Sequence, residues 1–150
     1  MKKHYHRIVQ NGIMAYGTKR GFREVHGDDL PIHIHHTTGM QQILYRPDAH
    51  FITRHGKVYL FEVLDGELKD KNLVIADIIQ AYLTPNVAKI FFIVPTPRDQ
   101  EGIKNLSVTI YDRLVCMGIP KRDLREVRVF YVQRREAKSA SKVAELLKRI

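Results

Sequence analysis

One cysteine, Cys116, stands in a chain of 150 residues. A single thiol makes neither an internal disulfide nor a four-ligand zinc site, which excludes a disulfide-built extracellular scaffold. Its place in the apolar run Leu114-Val115-Cys116-Met117 predicts a buried thiol in a reducing, cytoplasmic setting. Long apolar runs are lacking as well: Ile90 to Val94 falls far short of the roughly 18 residues a membrane span needs. The N-terminus, with its His and Lys, lacks the apolar core of a signal peptide. There is no internal repeat, low-complexity tract or Gly/Ser linker, so residues 1–150 are expected to share one core as a single domain. A chain of this length buries roughly two-thirds of its unfolded surface without a staple. No Gly-rich phosphate loop and no nucleophile elbow is present, and Ser-His-Asp catalysis has no support.

Acidic residues are also in short supply, 16 against 25 Lys and Arg, which leaves a formal charge of +9. Such a balance favours a polyanionic partner, because cations that neutralise phosphates release condensed counterions. The excess is uneven: residues 1–97 hold 12 basic and 9 acidic side chains, residues 98–150 hold 13 and 7. Lys121, Arg122, Arg125, Arg128, Arg134, Arg135, Lys138 and Lys142 cluster around the last strand and the start of the last helix. They are candidates to hold a DNA backbone, contacts that position a duplex without reading its sequence. The alternative is a solubilising face, interrupted by Glu126 and Glu136.

Hydrophobic periodicity gives the elements. Tyr5, Ile8, Val9, Ile13 and Tyr16 predict a helix over about 3 to 16, with Gly17 and Gly21 beyond it. Phe22 to Val25 reads as a short strand, Gly27 to Pro31 as a turn, and Ile32 to Met40 fits neither period. Gln42 to Thr53 and Lys57 to Leu64 read as a hairpin around Arg54-His55-Gly56, a type I turn closed by a left-handed glycine. Asn72 is placed as the N-cap of a buried helix over Leu73 to Leu83. Lys89 to Val94 reads as a central strand, Ile103 to Met117 as an amphipathic helix, and Val127 to Val132 as a last strand. A final helix starts near Ser139, its apolar face the one place where the chain offers an interface for a second copy. Alternation of this kind predicts an α/β fold, helices covering a mixed sheet.

With Thr53 opposite Lys57, paired positions in the hairpin sum to 110, and Asp48 faces Glu62. Like charges directly opposite are destabilising. Three things offset them: a raised pKa, a neighbouring cation such as Arg46 or Lys57, or a divalent ion held by oxygen ligands.

The segment Tyr45-Arg46-Pro47-Asp48-Ala49, followed after a short turn by Phe61-Glu62-Val63-Leu64-Asp65, resembles the PD-(D/E)XK nuclease superfamily. The family's core order of helix, three strands, helix, strand matches residues 3–94, about two-thirds of the chain. The resemblance implies a restriction-endonuclease-like core, α-β-β-β-α-β, with a C-terminal α-β-α added. It makes Asp48 and Glu62 the ligands of Mg²⁺ or Mn²⁺ in phosphodiester hydrolysis, and Glu24 a further ligand at an early acidic position. The family's lysine two residues after the acid is Leu64 here, which offers no donor. Lys69 and Lys71 are the nearest substitutes. Many relatives act as dimers, so a homodimer is an expectation from the same resemblance.

Asp77 and Gln80, at i and i+3 on the apolar helix, either face the cleft or bond structurally. Asp65 and Glu67 read as solvated loop acids. His33, His35 and His36 lack a cysteine partner and helical spacing, so a zinc site is not favoured. His50 shares the Asp48 face, whereas His4, His6 and His55 read as surface residues. A metal-dependent nuclease acting on DNA is expected first. A catalytically impaired DNA-binding or replication and repair accessory module on the same fold is second, and a protein-interaction subunit third.

Overall fold

The computed structural model describes residues 2–35, 42–64, 71–84, 86–118 and 126–149. Helix α1 (Lys2–Lys19) buries Tyr5, Val9, Ile13 and Tyr16, the stripe that 3.6-residue periodicity requires. Strand β1 (Glu24–Gly27) follows, then β2 (Ile32–His35), β3 (Gln42–Tyr45), β4 (Ala49–Ile52) and β5 (Val58–Val63). Helix α2 (Lys71–Leu83), β6 (Val87–Val94), α3 (Pro97–Cys116), β7 (Glu126–Tyr131), a 3₁₀ turn (Arg134–Glu136) and α4 (Ala140–Leu147) complete the described chain.

Five strands form a mixed sheet in the order β1-β4-β5-β6-β7, and β2 pairs with β3 in a separate two-stranded ribbon. The β4–β5 hairpin has Ala49 opposite Phe61 and Ile52 opposite Val58, so the register sums to 110 as the turn chemistry predicts. Thr53 N–H donates to the Lys57 carbonyl at 2.9 Å, and Gly56 holds φ +78. β5, β6 and β7 run parallel. β6 is therefore central and covered on both faces, which is why Val-Ala-Lys-Ile-Phe-Phe-Ile-Val is nearly all apolar.

The two faces of the sheet have separate cores. On one, Phe51, Phe61, Val63, Phe91 and Ile93 pack with α1 and α4. On the other, Leu60, Ile90, Phe92 and Val94 pack with Val74, Ile78 and Ala81 of α2 and Ile103 of α3. Burying each such side chain contributes about 1.5–3 kcal/mol. Among the described residues, no helix is long and apolar enough to cross a membrane.

Several expectations are corrected. Gln42 to Thr53 is two strands, because Arg46-Pro47-Asp48 breaks the ladder and β3 leaves for the ribbon. The first four of the ambiguous residues form β2; those from His36 to Met40 lie outside the described residues. Asn72 lies within α2 rather than capping it, and Ile79 leaves 45% of its surface exposed on a helix expected to be buried all round. α3 starts earlier than Ile103: Thr96 caps it by accepting from the Asp99 N–H at 3.1 Å, and Pro97 occupies its first position. Cys116 is exposed at the end of α3, not buried. The apolar face of α4, offered above as an interface, is spent within the chain, with Val143 and Leu147 buried against α1.

Candidate carboxylate site

Parallel strands place their C-terminal ends together. β5 ends at Val63, β6 at Val94 and β7 at Tyr131, while β4, running the other way, begins there. At that end stand Asp48, just before β4, and Glu62, the penultimate residue of β5. In open α/β sheets ligands bind outside this end.

Helix α1 holds Asp48. Gln10 Nε2 donates to the Asp48 carbonyl at 2.7 Å, and His6 Nε2 lies 3.0 Å from Asp48 Oδ1. His6 and Gln10 are one helical turn apart and therefore share a face. The Val63 N–H donates to Asp48 Oδ2 at 2.7 Å, taking a backbone donor from the end of β5 that strand pairing would otherwise use. Both oxygens of Asp48 are fixed in this way.

Glu62 is buried, 8% exposed, and its Oε1 accepts from the Tyr45 hydroxyl at 2.7 Å. Burial pushes its carboxyl well above the usual carboxylate range. The charges of Asp77 and Asp48 and a hydrogen bond with Asp48 add to the rise, against the lowering effect of Tyr45. Asp77, reaching over from α2, is pushed up to about 7, mainly by burial and then by the Asp48 charge. Burial beside Glu62 also raises Tyr45 far above its ordinary value. One turn along α2 from Asp77, Gln80 Oε1 is buried with no hydrogen-bond partner. Three carboxyls that repel one another and an unsatisfied amide oxygen are donors suited to a hard cation. As they stand, no three His, Cys, Asp or Glu among the described residues converge as a ready metal cage. Mg²⁺ fits such a site better than zinc, since it uses one or two carboxylates and retains waters.

Asp48 and Glu62 are thus brought together, and Asp77 with them. Glu24 is not. It lies opposite Ile52, four residues and about 13 Å along β4 from Asp48. There it pairs with Arg23 and with His26, and the His26 bond foremost holds its carboxyl below the ordinary value. His50 is buried between these regions, its ring 4.8 Å from that of His26 and its Nδ1 without a partner. Burial, and then the nearness of His26, lowers its pKa to about 4. Leu64 packs into the apolar core on the α2 side. Lys71 is the first residue of α2 and its side chain is outside the described residues, as are Lys69, Lys121, Arg122 and Arg125.

Arg134, Arg135 and Lys138 are exposed just beyond β7, at the sheet end that carries the carboxyls. The first turns of α1 connect the two groups: Tyr5 donates to the Val132 carbonyl at 2.8 Å and carries the Arg134 guanidinium 5.1 Å above its ring, while the next residue, His6, reaches Asp48. Arg128 points its charge at Glu126, at the other end of β7.

Sequence reasoning missed His6, Gln10 and Tyr45 as parts of the site. The i, i+4 spacing of His6 and Gln10 puts two polar side chains on one face of an amphipathic helix, but which strand end they meet is a tertiary fact.

No protein-family model, curated protein or solved structure matches the chain.

Proposed function

We propose that the carboxylate cluster holds Mg²⁺ or Mn²⁺ and that the protein is a metal-dependent nuclease-like DNA-binding protein with a restriction-endonuclease-like, PD-(D/E)XK core. The observation that carries this reading is the gathering of Asp48, Glu62 and Asp77 at the C-terminal end of the sheet, two of them with raised pKa values. No described Lys or Arg pairs with any of the three. Mutually repelling carboxyls in partial burial are compensated by protonation, the direction in which Glu62 and Asp77 are shifted, or by a bound cation once they ionise.

The chemistry such an ion supplies when bound is polarisation of a phosphoryl oxygen and a hydroxide available at neutral pH. The chain does the rest. Val63 N–H and His6 fix the two oxygens of Asp48, and Tyr45 fixes Glu62, so that both acids present a set direction. Arg134, Arg135 and Lys138 stand beside the site to hold the backbone of the strand. His6 Nε2, a side-chain nitrogen 3.0 Å from Asp48 Oδ1, is the candidate to act where the family has the lysine that Leu64 replaces.

Leu64 supports a second reading, a DNA-binding accessory module that no longer cleaves. Its side chain packs into the apolar core, so no family lysine is there to orient an attacking water.

Cleavage of supercoiled, linear, single-stranded and branched DNA with Mg²⁺ or Mn²⁺ decides between them. Metal-dependent cleavage that falls by about 100-fold or more in Asp48→Ala and Glu62→Ala supports the first. Salt-sensitive binding without cleavage supports the second. Cleavage unchanged in both variants overturns the site.

A further inference from the structure

The apolar face of α4 is spent within the chain, but α3 keeps one that is not. Five large apolar side chains are exposed among the described residues, and three of them lie in the second half of α3 and its cap: Val108 at 59%, Tyr111 at 36% and Met117 at 77%. Ile103, Leu106 and Ile110 turn the other way and join the core shared with α2 and β6. Val108, Tyr111 and the half-buried Val115 recur at i, i+3 and i+7, which makes a second stripe on the side of the helix away from that core. Valine is a poor helix former, so on a solvent-facing helix it gains only what a neighbour covers. Apolar residues scattered singly need no explanation, whereas a stripe of them bordered by charge marks an interaction surface.

The border is complementary to itself. Lys104 and Asp112 stand one turn before and one turn after Val108 on the same face, both exposed, and neither joins an ion pair among the described residues. A two-fold interface is isologous: if residue i meets j, then j meets i. Two copies of α3 packed antiparallel about a two-fold axis beside Val108 therefore set Lys104 of each copy level with Asp112 of the other, twice over. Val108 meets Val108 at the axis, and Tyr111 and Val115 extend the contact on either side. A parallel pair would bring Lys104 to Lys104 and Asp112 to Asp112. Opposite charges meet only in the antiparallel arrangement, and such complementarity fixes partner and register.

We propose that this face of α3 is a homodimer interface, in which α3 pairs antiparallel with α3 of a second copy about a two-fold axis beside Val108. The surface uses none of Asp48, Glu62 and Asp77, nor Arg134, Arg135 and Lys138. The proposal is independent of metal and of DNA.

Sedimentation velocity of the full chain at rising micromolar concentrations tests it. A shift from the 17.5 kDa chain to twice that mass is expected. Val108→Asp, at an exposed position that leaves the core untouched, should weaken dimerisation about 100-fold or more. Lys104→Glu or Asp112→Lys alone turns two attractions into repulsions and should weaken it about tenfold. The two exchanges together restore both pairs and should return the parent affinity, a rescue that a merely structural role of either residue would not give. Disulfide trapping reads the orientation. In a Cys116→Ser background, Val108→Cys sets two thiols at the axis, within the Cα separation of about 6 Å that a disulfide takes. The two Cys116 residues of a parent dimer lie about 24 Å apart along the helices. Rapid cross-linking at position 108 and none at Cys116 is expected. A monomer at every concentration, a dimer indifferent to Val108→Asp, a double exchange that does not rescue, or cross-linking at Cys116 in place of position 108 overturns the proposal.

Discussion

A buried acid is neutral at a cost that depends on pH, and Glu62 and Asp77 set that dependence here. Their folded-state pKa values lie above the unfolded ones, so the native state binds more protons between the two, and stability falls as pH rises through that window. For Asp77 the window runs from 3.8 to about 7. Glu62 acts in the same sense. His50 acts in the other sense. Lowered from 6.5 to about 4, it makes stability rise over that range and leaves it flat above. The two effects separate above about pH 6.5, where the carboxyl contribution stands alone. Urea unfolding in EDTA should therefore show a midpoint that falls from about pH 6.5 to about pH 8 and is restored by millimolar Mg²⁺. Glu62→Gln keeps an acceptor for Tyr45 and removes the charge. It should raise stability at about pH 8 without metal by about 1–3 kcal/mol and abolish most of the metal-dependent gain. A parent protein whose stability is flat over that interval and indifferent to Mg²⁺ would remove the case for these carboxyls as a cation site.

Between elements, α1 and α4 approach closely. A Cβ at Gly12 would lie 2.5 Å from Val143 Cγ1 and 3.1 Å from the Ala140 carbonyl, so only glycine lets the helices meet. Alanine gains about 1 kcal/mol of helix propensity, but overpacking against a backbone oxygen costs about 1–3 kcal/mol. Gly12→Ala should destabilise on balance, and Val143→Ala should destabilise by leaving a cavity. The double variant should lose less than the sum, and a double-mutant cycle by urea unfolding reads the difference. Strict additivity would mean the helices are not in this contact. Contacts of this kind explain what sequence showed and what it did not. The β4–β5 register was legible because a three-residue turn ending in Gly56 admits one pairing, and that pairing put Asp48 beside Glu62. The break at Arg46-Pro47-Asp48 carries its own signal, a proline between two charges, which a reading of one continuous strand overrides. The family resemblance alone places Glu24 with the acids; β1 does pair with β4, but it arrives by no short hairpin, so nothing local sets which end Glu24 occupies. Cys116 was read from apolar neighbours in sequence, whereas the turn of α3 carries it to solvent. His6 and Tyr45 reach the acids across long sequence separations that no local pattern encodes.

At the scale of the molecule, the sheet separates its chemistry by end. The C-terminal ends of β5, β6 and β7 bear the carboxyls, and the chain beyond β7 bears Arg134, Arg135 and Lys138, with the first turn of α1 packed between them. On the proposed reading the +9 charge is more than a solubility feature, since exposed cations stand at the same sheet end as the acids that would meet a phosphodiester. Long-range attraction to DNA and contact at the site predict different salt behaviour. Each phosphate neutralised contributes about 0.9 to the slope of log affinity against log salt. Replacing Arg135 and Lys138 together by Ala should weaken DNA binding and reduce that slope by about 2, with Arg134→Ala adding about 1 more. Arg134 also packs over Tyr5, so its variant needs a stability measurement beside the binding curve, whereas the other pair is exposed and leaves the core untouched. Fluorescence anisotropy with a labelled duplex between about 50 and 200 mM salt reads the slopes directly. Arg128→Ala serves as the comparison, because Glu126 already engages that residue at the far end of β7, and it should change the slope by much less. Equal effects from the Arg128 variant and the Arg135, Lys138 pair would show a diffuse field in place of a grip beside the carboxyls.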